Sequence, residues 1–244
     1  MMLRFIFTCI ALLSIPQIVD AQGSVDFDVK MREYGLVDIQ TLNPEIIVEL
    51  KYSTTDNFVG EDMYGELNKA YFVRDFALKI IDAQRILKEK YPQYTLLIYD
   101  AARPISVQRA MRRVVEGTKF ENFVADGTRG GRHNYGVAVD LTIATLDGTP
   151  LDMGTDFDVL TDASAVKGTP DNSDIKTRTV SVFSSYINGI AQCGVISYEA
   201  AANRILLMEV MCEAGLVPYR REWWHFEEII SIAATRERYQ LLDF

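Results

Sequence analysis

Between residues 74 and 90 the apolar positions fall three or four apart, with Phe76, Ile80, Ala83 and Leu87 on one stripe. That spacing predicts an amphipathic helix. The segment YTLLIY at 94–99 is nearly all apolar and predicts a short strand in the interior of a sheet. Residues 45–50 (EIIVEL) predict another strand. From 137 to 143 the pattern alternates: Val137, Val139, Leu141 and Ile143 face one way, Ala138, Asp140 and Thr142 the other. A helix is predicted over 106–116, stopped by Gly117, and another over 198–214, with Ser197 as N-cap and Gly215 as its end. Residues 121–132 and 161–177 are polar or turn-forming and predict surface loops. There is no internal repeat and no Pro/Gly-rich linker. Strands and helices do not alternate regularly, so the pattern predicts a single α+β domain with a largely antiparallel sheet and flanking helices.

The first 21 residues stand apart. Arg4 precedes an apolar run over 5–15 broken only by Thr8 and Ser14, and Val19-Asp20-Ala21 resembles a cleavage site. The run is short for a bilayer span, so a signal peptide over 1–21 and a mature domain over 22–244 are predicted. A buried N-terminal helix is the alternative reading. Cys9 lies within the run, which argues against a lipid anchor. The expectation is export to a periplasm or beyond, with no stable membrane anchor.

Composition narrows the chemistry. At 244 residues, with 48% hydrophobic and 24% charged, the chain can bury roughly 70% of its unfolded surface. Such a core needs no structural metal, so a metal site would be catalytic. A net charge of −9 argues against nucleic acid, whose binding rests on neutralising phosphates. Of the cysteines beyond the leader, Cys212 lies about 22 Å along the predicted helix from Ser197, too far for Cys193 to reach. Two free, buried thiols are expected.

The chain has only two histidines, His133 and His225. His133 precedes a turn, Asn134-Tyr135-Gly136, that leads into the strand carrying Asp140. Imidazole nitrogen and carboxylate oxygen both suit Zn²⁺, although a surface His beside a strand-borne Asp would look the same. Glu222 precedes His225 by three positions, with Trp223 and Trp224 between them. An odd offset puts strand residues on opposite faces, so a turn or bulge is required if both serve one site. An aromatic core strand with charges at its ends is the other reading. Taken together, His133, Asp140 and His225 form a three-ligand set that leaves a fourth zinc position open for water. Glu222 then suits a general base that passes its proton to the leaving amine. Arg103, just after the YTLLIY strand, suits oxyanion stabilisation, or simply a surface site before a helix.

At five separated stretches the chain resembles the D-alanyl-D-alanine dipeptidases of the wider zinc D,D-peptidase family. These are KYSTTDNFVG at 51–60, LLIYDAARP at 96–104, RHNYGVAVDLTI at 132–143, DMGTDFD at 152–158 and EWWHF at 222–226. The resemblance implies the small α+β fold of the hedgehog/DD-peptidase type. It also implies one zinc ion per chain on His133, Asp140 and His225, with Glu222 as base and acid and Arg103 stabilising the transition state. Tyr52 and Asp158 are implied as the holders of the substrate ammonium group, and a small D,D-dipeptide as the substrate. Two positions depart from the family pattern: Gly131 stands where a Ser is usual and Ala102 where a Tyr often lies, both expected to border the pocket. Resistance-type relatives act in the cytoplasm, whereas a leader points to turnover or salvage of wall-derived dipeptides. The alternatives are a murein D,D-carboxypeptidase or endopeptidase on longer stem peptides, and a non-catalytic zinc- or peptide-binding relative.

Overall fold

The computed structural model describes residues 26–118, 120–125, 127–167 and 180–244. The predicted leader over 1–21 lies outside them, as does most of the polar segment after residue 167.

Helix α1 (Phe27–Glu33) leads to strand β1 (Val37–Asp38), helix α2 (Ile39–Leu42) and strand β2 (Ile47–Val48). Strand β3 (Tyr71–Phe72) is followed by helix α3 (Arg74–Lys90), strand β4 (Tyr94–Asp100), helix α4 (Ile105–Val115) and strand β5 (Ala138–Thr145). The remainder is helix α5 (Val180–Gln192), helix α6 (Tyr198–Glu213), strands β6 (Leu216–Pro218) and β7 (His225–Glu228), and helix α7 (Ile232–Arg238). The main sheet has the order β2-β4-β5-β7-β6, with β2 parallel to β4 and every other pair antiparallel. The molecule is therefore the predicted α+β domain. Helix α3 packs on β4 and α6, and α6 in turn on α5, β5 and β6.

Helix α3 covers the predicted residues because its stripe has one place to go: Phe76, Ile80, Ala83 and Leu87 are all buried. Each large side chain in that stripe contributes roughly 1.5–3 kcal/mol by leaving water. The interior position predicted for YTLLIY also holds, since β4 is paired on both edges. One expectation changes. The strand predicted over 45–50 shortens to Ile47–Val48, because the chain leaves the sheet at Leu50 for a 3-10 turn over Lys51–Ser53. The alternation in β5 sets direction but not exposure: residues 138–144 are all buried, Asp140 and Thr142 included.

The cysteines are free. Cys212 is half-buried, and burial pushes its thiol up to about 12. Cys193 is exposed, contrary to expectation, because it follows the last turn of α5 at the surface.

Candidate active site

The site is assembled from the ends of strands and the loops beside them. Asp140 points from the third residue of β5, directly paired with His225 at the start of β7. His133 sits in a 3-10 turn, Arg132–Tyr135, closed by Gly136 at φ 69°, a conformation that favours glycine. Gly136 O accepts from Val73 N at 3.0 Å, and Arg103 N donates to His133 O at 3.0 Å, so the turn is fastened to two other segments. Gly130, at φ 64°, passes so close to Asn134 that a Cβ would sit 2.5 Å from its Oδ1.

His133, Asp140 and His225 offer ligand atoms that lie within 4.8 Å of one another. His133 Nε2 is 3.1 Å from His225 Nδ1 and 3.4 Å from Asp140 Oδ1, and His225 Nδ1 is 2.9 Å from the same oxygen. Donors about 2.0–2.2 Å from a tetrahedral ion stand roughly 3.3–3.6 Å apart, so nitrogen, nitrogen and oxygen here suit a zinc-sized cation in type, and two of the three separations, 3.1 and 2.9 Å, would have to open by a few tenths of an ångström to admit it. His133 Nδ1 donates to Ala101 O at 2.7 Å, which leaves Nε2 as its free acceptor. Burial opposes charge on His225, but Asp140 and Glu227 outweigh it and hold the imidazolium up to about 10. Asp140 is pushed up by burial and drawn down further by the two histidines, well below the usual carboxylate range.

The odd offset between Glu222 and His225 is resolved by a turn. Glu222 N donates to Tyr219 O, and the chain enters β7 only at His225, so both side chains line one cavity. Burial pushes the Glu222 carboxyl up to about 7; His225 lowers it and Asp140 raises it.

Arg103 also lines this cavity, of about 390 Å³. Its Nε and Nη2 donate to Asp100 Oδ2 at 3.1 and 2.5 Å, and its Nη1 to Gln108 Oε1 at 2.9 Å. Tyr64 OH donates to the other Asp100 oxygen at 2.6 Å. Of five guanidinium donors, about two remain beyond these contacts. The guanidinium lies 5.1 Å from the Tyr52 ring centre. Tyr52 OH donates to Asp158 Oδ2 at 2.9 Å, so the two residues paired by the sequence reading meet in the structure. Burial holds the Asp158 carboxyl well above the usual range, with Tyr52 lowering it and Asp140 and Glu222 raising it further. Asp158 is the only non-glycine residue at positive φ (61°) among the described residues. Its loop is fastened to α6: Arg204 Nε donates to Met153 O at 2.6 Å and Arg204 Nη1 to Ala163 O at 2.8 Å.

Of the two departures, Gly131 lines the cavity as expected. Ala102 does not: it is buried, and its N–H donates to Tyr71 O, which turns this stretch toward β3. The sequence reading missed Phe58, Leu160 and Tyr219, which also line the cavity, and Asp100 and Tyr64, which hold Arg103. Phe58 lies inside the KYSTTDNFVG stretch, which was the available signal for it.

A profile of the peptidase M15 family, described as D-ala-D-ala dipeptidase, matches residues 32–240. The chain is 30% identical to the D-alanyl-D-alanine dipeptidase of Escherichia coli K12, over 79% of this chain and 83% of that protein. It is 27% identical to the D-alanyl-D-alanine dipeptidase of Synechocystis, over 84% of this chain and 90% of that protein.

Proposed function

Because the chain belongs to the peptidase M15 family, the D-Ala-D-Ala dipeptidases, we propose that it hydrolyses free D-alanyl-D-alanine to two D-alanines with one zinc ion on His133, Asp140 and His225. Bound there, zinc would polarise the scissile carbonyl and activate a water molecule. Glu222 takes the proton from the attacking water and returns it to the leaving amine; burial, which raises its carboxyl to about 7 in the metal-free protein, supports a group able to hold that proton. Arg103, its plane fixed by Asp100 and Gln108, directs its remaining donors at the carbonyl oxygen as charge builds there. Asp158 and Tyr52 receive the substrate ammonium group, which supplies the counter-charge that the buried carboxyl lacks.

The observation that carries this reading is the meeting, in one cavity of about 390 Å³, of the three convergent ligands, Glu222, and the buried carboxyl of Asp158. That volume is at the low end for ligand pockets and suits a dipeptide. The leader-like N-terminus supports an exported enzyme acting in turnover or salvage of wall-derived dipeptides. Detection of the protein in the cytosol with its N-terminus intact would contradict the export.

The test of mechanism is Glu222→Gln. It should lower kcat for D-Ala-D-Ala by about 10²–10⁴-fold while zinc content stays at one per chain. Turnover within a few-fold of the unmodified protein would remove Glu222 from the reaction, and absence of zinc from an active protein would remove the metal.

A further inference from the structure

The two histidines present different ring nitrogens to the cluster. His133 turns Nε2 inward because Nδ1 is committed to Ala101 O. His225 turns Nδ1 inward, and its Nε2 points away toward Glu227 Oε2, 3.4 Å distant. Glu227 stands two residues beyond His225 in β7, so the strand period puts both side chains on one face. The same Glu227 oxygen lies 2.6 Å from Arg132 Nε. Arg132 is the residue before His133, and its Nη1 donates to Thr235 Oγ1 at 2.8 Å. Thr235 is fully buried in α7, and its hydroxyl donates onward to Ser231 O. A continuous polar chain therefore runs from α7 through Arg132 and Glu227 to the outer nitrogen of His225. Neither Arg132 nor Glu227 has a part in the reaction proposed above.

We propose that Glu227 is the positioning residue that fixes His225 as an Nδ1 metal ligand, and that Arg132 holds Glu227 in place for it. The inference rests on the zinc reading of the site. Its physical basis is the single N–H of a neutral imidazole. A carboxylate at Nε2 favours the tautomer protonated there and leaves the Nδ1 lone pair for the ion. The negative charge also makes the ring a more basic ligand. Without Glu227, either tautomer and either ring orientation would be open to His225, and the cost of selecting one would fall on metal binding. Arg132 adds a second effect: the turn bearing His133 and the strand bearing His225 become linked by one ion pair, so the two ligands keep their separation.

The test compares zinc dissociation constants, from competition with a chromogenic chelator, for the unmodified protein, Glu227→Ala, Glu227→Gln and Arg132→Ala. Melting temperatures of the metal-free proteins serve as the fold control. Glu227→Ala should weaken zinc binding about 10–100-fold. Glu227→Gln keeps an acceptor oxygen without the charge and should recover part of that loss. Combining Glu227→Ala with Arg132→Ala should cost little more than Glu227→Ala alone, since both act through one contact. Ring ¹⁵N spectra of the zinc-loaded unmodified protein should show His225 bound through Nδ1 with a proton on Nε2. That signature does not depend on any variant folding. Zinc affinity of Glu227→Ala within two-fold of the unmodified protein, or coordination of His225 through Nε2, would overturn the inference and leave the metal reading intact. Undiminished zinc binding by His225→Ala would instead overturn the metal reading, and this inference with it.

Discussion

Against the effect of burial, Asp140 and Glu227 together hold the His225 imidazolium up to about 10, so under the proposed function a zinc ion binding at Nδ1 would have to displace a proton. The sign of the pH dependence follows from two shifts. The folded protein holds its His225 proton above the ordinary value near 6.5, so that contribution to stability is present below 6.5 and lost as pH rises toward 10. Glu222, raised to about 7 from 4.5, also keeps a proton that the unfolded chain releases, and its contribution is lost between 4.5 and 7. Asp140, shifted down, changes nothing in this range. The melting temperature of the chelator-treated protein should therefore fall from pH 5 to pH 9, while the increase produced by zinc grows. A flat or rising profile for the metal-free protein would contradict the assigned charges. Residue identity made most of this site legible beforehand: two histidines, each near a carboxylate, left few alternatives. What identity could not carry was Glu227. A glutamate in a strand resembles any surface glutamate until the ring orientation of His225 gives it a partner.

The elements divide the work between rigid strands and fastened loops. Asp140 and His225 owe their alignment to direct pairing of β5 with β7. Asp158 depends on a loop held by Arg204, whose side chain is buried against the carbonyls of Met153 and Ala163. Arg204→Met should leave those carbonyls unpaired and cost about 2–5 kcal/mol in denaturant unfolding, with KM for the dipeptide rising alongside. An unchanged KM would separate this loop from substrate binding. Under the proposed function Asp158 also sets specificity. Asp158→Ala should weaken kcat/KM for D-Ala-D-Ala by about 10²-fold or more, as a buried ion pair is worth several kcal/mol once one partner is removed. The same change should reduce discrimination against an N-acetylated D-Ala-D-Ala. Unaltered preference for the free amine would contradict the ammonium role. At this scale the sequence was legible where periodicity had one solution, as in α3, whose limits match the pattern. It was less so where tertiary contacts decide. Nothing in EIIVEL says that only Ile47 and Val48 can pair with β4, and the apolar spacing of Phe183, Ile187 and Ala191 in α5 was not read as a helix.

Across the whole molecule, a sheet with one parallel and three antiparallel pairings gathers segments from residue 52 to residue 232 around one cavity. Separation in sequence is why the site was legible only in parts. The ligand set could be proposed from residue types, but its meeting with Tyr52 and Asp158 depends on β2, β4, β5 and β7 lying side by side. The position of Ala102 shows the converse. Adjacent to Arg103 in sequence, it faces β3 and takes no part in lining the cavity, so substrate side-chain preference should respond to residue 131 and not to residue 102. Gly131→Ser should alter the ratio of kcat/KM for D-Ala-D-Ala and D-Ala-D-Ser, whereas Ala102→Gly should leave that ratio unchanged. The central claim is that this cavity takes a free D,D-dipeptide, closed at the ammonium end by Asp158. Its most direct test is kcat/KM of the zinc-loaded protein for D-Ala-D-Ala, measured beside a stem pentapeptide ending in D-Ala-D-Ala. Cleavage of the dipeptide with at least about 10³-fold preference is predicted, as expected when a buried carboxyl is denied its ammonium partner. Comparable cleavage of the pentapeptide would contradict the account and make the protein a D,D-carboxypeptidase.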